Sequence, residues 1–296
     1  MRMAEQHCAR YSQSLMARLF GFIGNHKELG ARVLQALPEP VRVHSSPGTA
    51  HGWGVAFFQN GEGLLRRRPL DERDAIDVGK SVESVATDVL VGHIRHPTVG
   101  NLRTENTHPF RYRDWVFAQI GTVTGFDGLR DSLFEAQPGF LRPNVRGDTD
   151  SEVFFYLILS FLHDAGVLEN RSVSRKYVLD ALAAASKHVD DKLVAAGKPK
   201  HSGDILMTNG EHMYAVQRSG RLAFRLVDDP EDAEALLDIK DNKPPSSRGQ
   251  QRSCVFASEV QELPEGWQHP AMDHVLVASR TEGPEECELW TSSSIS

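Results

Sequence analysis

Short apolar runs near both ends of the chain predict β-strands. The first run covers residues 17–23, and later runs of the same kind predict strands at 53–58, 89–94, 115–118, 204–207, 213–217, 254–257 and 275–278. The dipeptides Asn60-Gly61 and Asn209-Gly210 each lie between strand-like runs and are typical of tight hairpin turns. The strands are therefore expected to pair in antiparallel sheets.

Longer stretches in the middle of the chain predict helices. One begins at Thr149, whose spacing to Glu152 is that of a capping box, and its apolar residues between 153 and 162 fall on one face. Another covers residues 174–195, and a shorter helix is predicted at 26–37. Because strands and helices do not alternate strictly, the pattern favours an α+β fold of packed antiparallel sheets covered by helices, not a doubly wound parallel sheet.

One domain is predicted from residue 16 to residue 290. Residues 1–15 are polar and aperiodic, so they are expected to form a disordered N-terminal extension or to lie upstream of a true start at Met16. Residues 241–252 are rich in proline, serine and charge, which indicates a loop. Strand-like runs resume after this loop, so we place it inside the domain.

The composition of the chain argues against some kinds of binding partner and indicates the cellular compartment. The chain has 296 residues, 40% of them hydrophobic, and a net charge of −7, which argues against nucleic acid or an anionic membrane surface as a partner. The longest apolar run, at 153–162, is too short to span a bilayer. Cys8, Cys254 and Cys287 are far apart and suggest no disulfide framework, and no secretory signal is recognised, so a cytoplasmic location is expected.

The sequence lacks the motifs of several common kinds of catalytic, nucleotide-binding and metal-binding site. It contains neither a P-loop nor a G-x-S-x-G elbow. His93 and His96 lie three positions apart in a predicted strand, where side chains face opposite sides, so they make a poor metal pair. The basic run at 66–68 is interpreted as a solvated strand or loop. No metal or cofactor is expected.

Polar residues are concentrated in four segments at predicted strand ends and before the long helix, at 93–100, 105–110, 117–122 and 147–152. Taken singly, each has an ordinary structural explanation. Arg95 is explained as a surface arginine, and Asp150 as a carboxylate favoured at a helix N-terminus. Asn106 and His108 are explained as turn residues.

In this order and spacing, the segments resemble the class II glutamine amidotransferases, most closely stand-alone members similar to the ergothioneine-pathway amidotransferase. The resemblance implies a four-layer αββα sandwich of the N-terminal-nucleophile hydrolase type. It covers nearly the whole domain. The residues that carry it are Arg18-Leu19-Phe20-Gly21, Gly52-Trp53-Gly54, Asn106-Thr107-His108-Pro109-Phe110 and Thr149-Asp150-Ser151-Glu152.

The resemblance also implies a role for individual residues. Arg95 is expected to bind the α-carboxylate of glutamine, since a guanidinium matches a carboxylate bidentately, and Thr98 to orient the same group. Asp150 is expected to accept hydrogen bonds from the α-ammonium. Gly121 is expected to offer its backbone N–H to the developing oxyanion. Together these groups would recognise a γ-glutamyl amide.

The chain departs from the family pattern at the reacting centre. The family nucleophile is an N-terminal cysteine whose own α-amine is the base, and Ala17 stands at that position. The family's oxyanion asparagine is replaced by Ile120, and loss of one such donor typically costs about 10²–10³ in rate. Gln119, His51 and Val99 also differ from the usual residues. An engineered Cys-to-Ala change would explain Ala17 but not Ile120.

Three interpretations follow from this pattern. The first is a catalytically degenerate member that binds glutamine or a γ-glutamyl compound, or acts as a regulatory or structural partner. The second is an active amidohydrolase with another nucleophile, such as Cys8, or an activated water. The third is an interaction scaffold without a ligand. No synthetase domain is recognised, so an ammonia-using partner would be a separate chain, and a homo-oligomer is compatible with the sequence.

Overall fold

The computed structural model describes residues 17–27, 29–35, 37, 44–45, 52–69, 76–78, 82–96, 100–228, 252–260 and 262–290. Several sequence predictions fall outside these ranges. They concern the extension at 1–15 with Cys8, the positions His51, Thr98 and Val99, and all but the last residue of the loop at 241–252.

Most of the described strands form two large antiparallel sheets. The strands are β1 (Arg18–Gly24), β2 (His44–Ser45), β3 (Gly52–Gln59), β4 (Glu62–Pro69), β5 (Ile76–Asp77), β6 (Val89–Arg95), β7 (Phe110–Tyr112), β8 (Trp115–Ile120), β9 (Asp204–Thr208), β10 (His212–Gln217), β11 (Ala223–Val227), β12 (Ser253–Ala257), β13 (Trp267–Gln268), β14 (His274–Ser279) and β15 (Glu285–Glu288). The seven-stranded sheet has the order β13-β11-β12-β1-β6-β3-β4, and the six-stranded sheet has the order β15-β14-β10-β9-β8-β7. Strands β2 and β5 pair separately.

The helices lie on the outer faces of the two sheets. They are α1 (Leu29–Gln35), α2 (Phe126–Glu135), α3 (Asp150–Asp164) and α4 (Arg175–Ala195). One apolar cluster joins α2, α3 and α4 to the six-stranded sheet, and another joins α1 to the seven-stranded sheet. A third cluster fills the space between the sheets. The layers are therefore α, β, β and α, which confirms the predicted α+β sandwich.

The predicted strands are all present, but one of the two predicted turns differs. Asn60 and Gly61 have φ angles of 53° and 78° and join β3 to β4, so this hairpin is confirmed. The turn at Asn209 is wider than predicted, because Thr208 pairs with Met213 and leaves four residues in the loop. The Asn209 side chain organises that loop by accepting hydrogen bonds from the backbone N–H groups of residues 211 and 212, at 3.1 and 3.0 Å.

The long helix α3 corrects two details of its prediction. Thr149 is its N-cap and accepts a hydrogen bond from the Glu152 N–H at 3.3 Å, as the capping box predicts. The Glu152 carboxylate does not return to Thr149, because it accepts from the backbone N–H groups of Arg146 and Gly147 at 3.1 and 2.6 Å. The helix also has no single apolar face, since α2, α4 and the sheet surround it and bury almost every side chain.

The remaining elements follow the prediction closely. Helix α4 spans nearly the predicted range, whereas α1 is shorter at both ends than the predicted 26–37. Helix α2 was not predicted, whereas strand β4 was expected only as the run after Asn60-Gly61 and as a solvated strand or loop at 66–68. Strand β4 carries the basic run at 66–68 and lies at a sheet edge, where charged residues are common. Within the described ranges, no helix combines the length and the apolar character needed to cross a bilayer.

Candidate functional site

The predicted site residues other than Thr98, which lies outside the described ranges, converge at one end of the space between the two sheets. Strands β1 and β6 are antiparallel with Arg18 opposite Ile94, so the start of β1 lies beside the end of β6. One further step of this register places Ala17 beside Arg95. Ala17 packs against the inter-sheet cluster, to which Ile120 at the end of β8 also belongs. The two positions predicted to correspond to the family's nucleophile and oxyanion donor therefore contact one apolar cluster.

A histidine holds β8 against β6 at this end of the sandwich. The His93 ring forms a hydrogen bond with the backbone of Gln119. The Gln119 side chain lies within 3.0 Å of His201 Nε2, and His201 packs edge-on against Phe154 of the helical layer. The Gln119 side chain therefore lies in the interface between the six-stranded sheet and the helices. The Ile120 side chain points to the other face of the sheet and is buried between the two sheets.

Arg95 is a buried cation held by backbone carbonyls. Only 3% of the residue is exposed, and its guanidinium donates to the carbonyls of Gly100 and Asn101 at 2.9 and 3.1 Å. Burial lowers the pKa of Arg95, and the nearby carboxylate of Asp150 opposes that change. Since an arginine side chain stays protonated in proteins, the group remains a cation.

Asp150 supplies the opposite charge at the start of α3. Its carboxylate accepts hydrogen bonds from the backbone N–H groups of Val123 and Ser151 at 2.7 and 2.9 Å. Burial raises the pKa of Asp150, and these hydrogen bonds oppose the rise. The Asp150 carboxylate opposes the lowering of the Arg95 pKa, so the two side chains lie close enough to interact electrostatically.

Gly121 adopts a backbone conformation that other residues rarely reach. Its φ is +101°, and an added Cβ would lie 2.7 Å from the Cα of Gly203. Both facts require glycine here on steric grounds alone. The segment from Gly121 to Val123 is anchored to Asp150, so the predicted oxyanion glycine and the predicted ammonium acceptor are mechanically connected.

Asn106 connects the two charged residues through its side-chain amide. The amide nitrogen donates to the carbonyl of Asn101 at 3.0 Å, and the amide oxygen accepts from the N–H of Asp148 at 2.8 Å. Asn101 also accepts from Arg95, and Asp148 lies two residues before Asp150. Sequence reasoning treated Asn106 as a turn residue. The sequence feature that could have indicated this bridging role is the side-chain amide of Asn106, which can donate one hydrogen bond and accept another at the same time.

The Gly52-Trp53-Gly54 segment lies directly beneath the segment containing His108. A Cβ added to Gly54 would collide with the backbone carbonyl of His108, and one added to Gly52 would lie 3.2 Å from the Thr107 hydroxyl. The close approach explains why both positions are glycine. It also brings the His108 and His93 rings to 4.3 Å between centroids.

These two imidazoles are buried and neutral. Burial, together with the charge of Arg95, lowers the pKa of His93 to about 3 and the pKa of His108 well below its ordinary value. Within the described part of the chain, His93 Nδ1 and both ring nitrogens of His108 lack a hydrogen-bond partner. Of the two cysteines in the described part of the chain, Cys254 is buried, and burial raises the pKa of its thiol. It is therefore poorly suited to attack.

Comparison with known proteins agrees with this arrangement. The chain matches the family model of the class II glutamine amidotransferases over residues 37–282, a range that contains Arg95, Ile120, Gly121 and Asp150. Ala17 lies before the matched range, so the match does not depend on the nucleophile position. A Saccharomyces cerevisiae protein named probable glutamine amidotransferase is 32% identical over 126 residues, which are 40% of this chain and 35% of that protein. The chain thus matches only about a third of that relative.

Two solved structures share the fold. A Pseudomonas aeruginosa protein described as a predicted glutamine amidotransferase is 21% identical, with a TM-score of 0.58 and coverage of 90% of this chain and 98% of that chain. A glutamine aminotransferase class-II domain protein from Silicibacter pomeroyi is 18% identical, with a TM-score of 0.56 and coverage of 93% and 100%. At these identities, the likeness establishes the architecture alone.

Proposed function

The chain belongs to the class II glutamine amidotransferases, and we propose that it retains ligand binding without that family's hydrolytic mechanism. The proposed ligand is glutamine or a γ-glutamyl compound. Such a molecule carries an α-carboxylate, an α-ammonium and a γ-amide in one chain. The end of the inter-sheet space offers a buried cation, Arg95, close to a buried anion, Asp150.

The observation that supports binding best is the burial of Arg95 and Asp150 close to Ala17. Removing an ion from water is expensive unless an opposite charge and hydrogen bonds compensate for it. Backbone carbonyls orient Arg95, and backbone N–H groups orient Asp150, so both charged groups are held in fixed positions. A zwitterionic ligand would present its carboxylate to Arg95 and its ammonium to Asp150.

The loss of hydrolysis is inferred from the two replaced positions. The methyl group of Ala17 cannot attack a carbonyl carbon, and the side chain of Ile120 cannot donate to an oxyanion. Because Ile120 belongs to the buried cluster, the position has been taken over by core packing. The retained charges and the lost reactive groups together favour a binding protein over an enzyme.

A second candidate is hydrolysis by an activated water. The unpartnered nitrogens of His93 and His108 favour it, since buried polar atoms of this kind often hold a water molecule. Their lowered pKa keeps them unprotonated, as a base must be, but also makes them weak bases. Glutamine-dependent ammonia release separates this candidate from the first, because only an enzyme produces it.

Ligand-induced stabilisation tests the proposal. Melting temperatures of the wild type, Arg95→Lys and Arg142→Lys would be measured with and without glutamine or γ-glutamyl dipeptides, together with calorimetric titration. Arg142 is a matched control, because its guanidinium also donates to two backbone carbonyls, those of Gln137 and Glu135 at 2.8 and 2.7 Å. At about 100 times the dissociation constant, a ligand should add roughly 2.7 kcal/mol of stability.

The ligand is expected to raise the melting temperature of the wild type and of Arg142→Lys. This increase should be strongly reduced in Arg95→Lys. An ammonium keeps the charge but cannot reproduce the bidentate contact. If no ligand raises the melting temperature of the wild type, and Arg95→Lys and Arg142→Lys lose similar stability, the buried charges of Arg95 and Asp150 are structural. The protein would then be a scaffold. A response that Arg95→Lys retains in full would place the ligand elsewhere.

A further inference from the structure

A second concavity lies where the edge strands of the two sheets meet. Strand β4 ends the seven-stranded sheet and β7 ends the six-stranded sheet, and a cleft of about 580 Å³ opens between them, next to the first turns of α3. Four arginines line it: Arg67 on β4, Arg111 on β7, Arg113 just after β7, and Arg146 before α3. None of the residues assigned to the glutamine site lines this cleft.

The charge of the cleft is opposite to that of the whole chain. Its four arginines are accompanied by two glutamates, Glu105 and Glu152, which leaves a formal charge of +2. The chain as a whole carries −7. A concave wall of one sign focuses the electrostatic field and attracts ions of the other sign. The excess of positive charge in the cleft therefore favours the binding of an anion.

Backbone carbonyls hold two of the arginines in place, and neither forms a direct ion pair with another described residue. Arg67 donates to the carbonyls of Thr107 and Pro109 at 3.1 and 3.4 Å. Arg111 donates to the carbonyl of Gly63 and, at 2.9 Å, to that of Arg113. A carbonyl orients a guanidinium but leaves its charge available. These cations are thus preorganised on two walls of the cleft.

Arg146 adds a third cation whose backbone is anchored. Glu152 accepts a hydrogen bond from the Arg146 N–H, which holds the residue at the rim, while the side chain itself is exposed. In the described part of the chain, its guanidinium forms no hydrogen bond or ion pair. Burial lowers the pKa of Arg67, the carboxylates of Glu152 and Glu105 oppose that change, and the nearby charge of Arg146 adds to it. An anion between Arg67 and Arg146 would relieve the repulsion between these two like charges.

Tyrosines complete the wall with neutral donors. The pKa of Tyr156 is raised, mainly by burial, so the phenol keeps its proton and can donate it in a hydrogen bond. Tyr112 packs edge-on against Tyr156, with centroids 5.9 Å apart, and the Arg113 guanidinium lies over the Tyr112 ring. Arg113 also pairs with Glu169, so its charge is partly compensated.

We propose that this cleft, lined by Arg67, Arg111, Arg113 and Arg146, is a binding site for a small, multiply charged anion such as a phosphate ester or a polycarboxylate. Its volume falls within the usual range of small-molecule sites, about 300–1,000 Å³. Guanidinium forks match phosphate and carboxylate oxygens equally well, so the cleft recognises the chemistry that the two classes share. The site is separate from the glutamine site and does not depend on it.

Calorimetric titration with pyrophosphate and with citrate, in low-salt buffer, tests the site. The proteins are the full-length wild type, Arg146→Gln, Arg67→Gln and the control Arg68→Gln. Arg68 neighbours Arg67 on β4, but its side chain points to the opposite side of the strand and is exposed. One-to-one saturable binding is expected in the wild type and in the control. Each of the other variants should weaken it about tenfold or more, since a hydrogen bond to a charged group is lost.

The outcomes separate the proposal from a general charge effect. Binding of pyrophosphate alone identifies a phosphoryl ligand, binding of citrate alone identifies a carboxylate ligand, and both support the site. Absence of saturable binding of either anion overturns it, as does equal weakening by Arg68→Gln. If Arg67→Gln does not fold, Arg146→Gln decides, because that guanidinium is exposed. Unchanged glutamine binding in Arg146→Gln would show that the two sites are independent.

Discussion

The carboxylate of Asp150 accepts a hydrogen bond from the backbone N–H of Val123 at 2.7 Å. This bond joins the first residue of α3 to the segment that follows Gly121. The residue proposed to bind the ligand ammonium therefore also holds the segment proposed to bind an oxyanion. A change at Asp150 should affect folding and ligand binding together, and the two effects have to be measured separately.

Replacing Asp150 with asparagine should lower stability and abolish the ligand response. The amide keeps one acceptor oxygen, but its NH2 group then faces the N–H of either Val123 or Ser151, and a buried donor loses its partner. Such a loss is worth about 1–3 kcal/mol. Urea denaturation measures the stability, and the melting temperature with and without glutamine measures binding.

Asp148→Asn is the control for that change. Asp148 lies two residues earlier and forms an exposed ion pair with Arg103 at 3.5 Å. Exposed pairs contribute about 0–1 kcal/mol, so the control should stay close to wild type and keep its ligand response. Equal stability of Asp150→Asn and wild type would show that the Val123 bond does not hold the segment.

Replacing Asn106 with aspartate should destabilise the protein and weaken the ligand response. Aspartate still accepts from the Asp148 N–H, but it places an oxygen against the carbonyl of Asn101 in place of a donor. The lost bond and the buried repulsion should lower the free energy of unfolding by at least about 1–3 kcal/mol. The Asn101 carbonyl, which accepts from Arg95, would then be displaced.

Asn170→Asp separates this effect from the added negative charge alone. Asn170 is exposed, and the substitution makes the same chemical change. It should alter stability by less than about 0.5 kcal/mol, as is usual for surface positions. If both variants unfold at the same urea concentration, the bridge through Asn106 is not important for the fold.

Strand positions were predictable because burial leaves a local signal. The strands β1, β6 and β12 carry apolar runs, since a sheet between two layers is covered on both faces. Strand β4 gave no such signal, because it lies at a sheet edge and carries arginines. The missing half of the Thr149 capping box shows another limit. Glu152 had a competing partner in the 146–147 segment, which spacing along the chain does not reveal.

The site residues were predicted from a motif resemblance, and their roles stay predictions. Ala17, Ile120, Arg95 and Asp150 come from separate sequence segments, and the structure brings these four to one end of the inter-sheet space. The partners of the charged groups were not predictable. The bridge from Asn106 to the N–H of residue 148 crosses 42 positions of the chain, and the sequence contains no sign of that distance.

Gly121→Ala should destabilise the protein by at least about 1 kcal/mol. A φ of +101° is strained for alanine, and the new Cβ would lie 2.7 Å from Gly203 Cα. Gly128→Ala is the matched control, since Gly128 lies in α2 and has open space around it. That variant should gain about 0.5–1 kcal/mol from the helix preference of alanine. Chemical denaturation of both compares them, and a stable Gly121→Ala would contradict the strained conformation.

Stability should fall as the pH is lowered below about 6.5, the ordinary pKa of histidine. The pKa values of His93 and His201 are lowered to about 3 in the folded protein, and that of His108 is also lowered. Between these values and 6.5, the unfolded chain binds more protons than the folded chain, so acid favours unfolding. Each such histidine lowers the free energy of unfolding by up to roughly 1.4 kcal/mol for each pH unit of acidification in this range.

Urea denaturation of wild type and His201→Asn between pH 5.5 and 8 measures this slope. The buried carboxylates of Asp150 and Glu152 have raised pKa values and act in the opposite direction, but they are common to both proteins. The variant should therefore show a shallower decline than the wild type on acidification. Parallel pH profiles would mean that His201 takes up its proton equally well in the folded state.

Glutamine hydrolysis should return, weakly, when both reacting groups are restored. The variant is Ala17→Cys with Ile120→Asn, in a chain trimmed to begin at position 17. The thiol supplies the nucleophile, and the α-amine freed by trimming supplies the base. The asparagine amide supplies the oxyanion donor, without which the rate should be about 10²–10³ lower. Ammonia release from glutamine, measured with a coupled assay, follows the recovery.

Two controls make the result specific. The same double variant without trimming has no α-amine at position 17 and should remain inactive, and the trimmed Ala17→Cys single variant should be slower than the trimmed double variant. Ile120 is buried in the inter-sheet cluster, so the added asparagine must find a partner there or lower stability by about 1–3 kcal/mol. Folding and glutamine binding are therefore checked first. A trimmed double variant that folds, binds glutamine and releases no ammonia would mean that the reacting geometry has diverged beyond these two positions, because the nucleophile, base and donor are then all present.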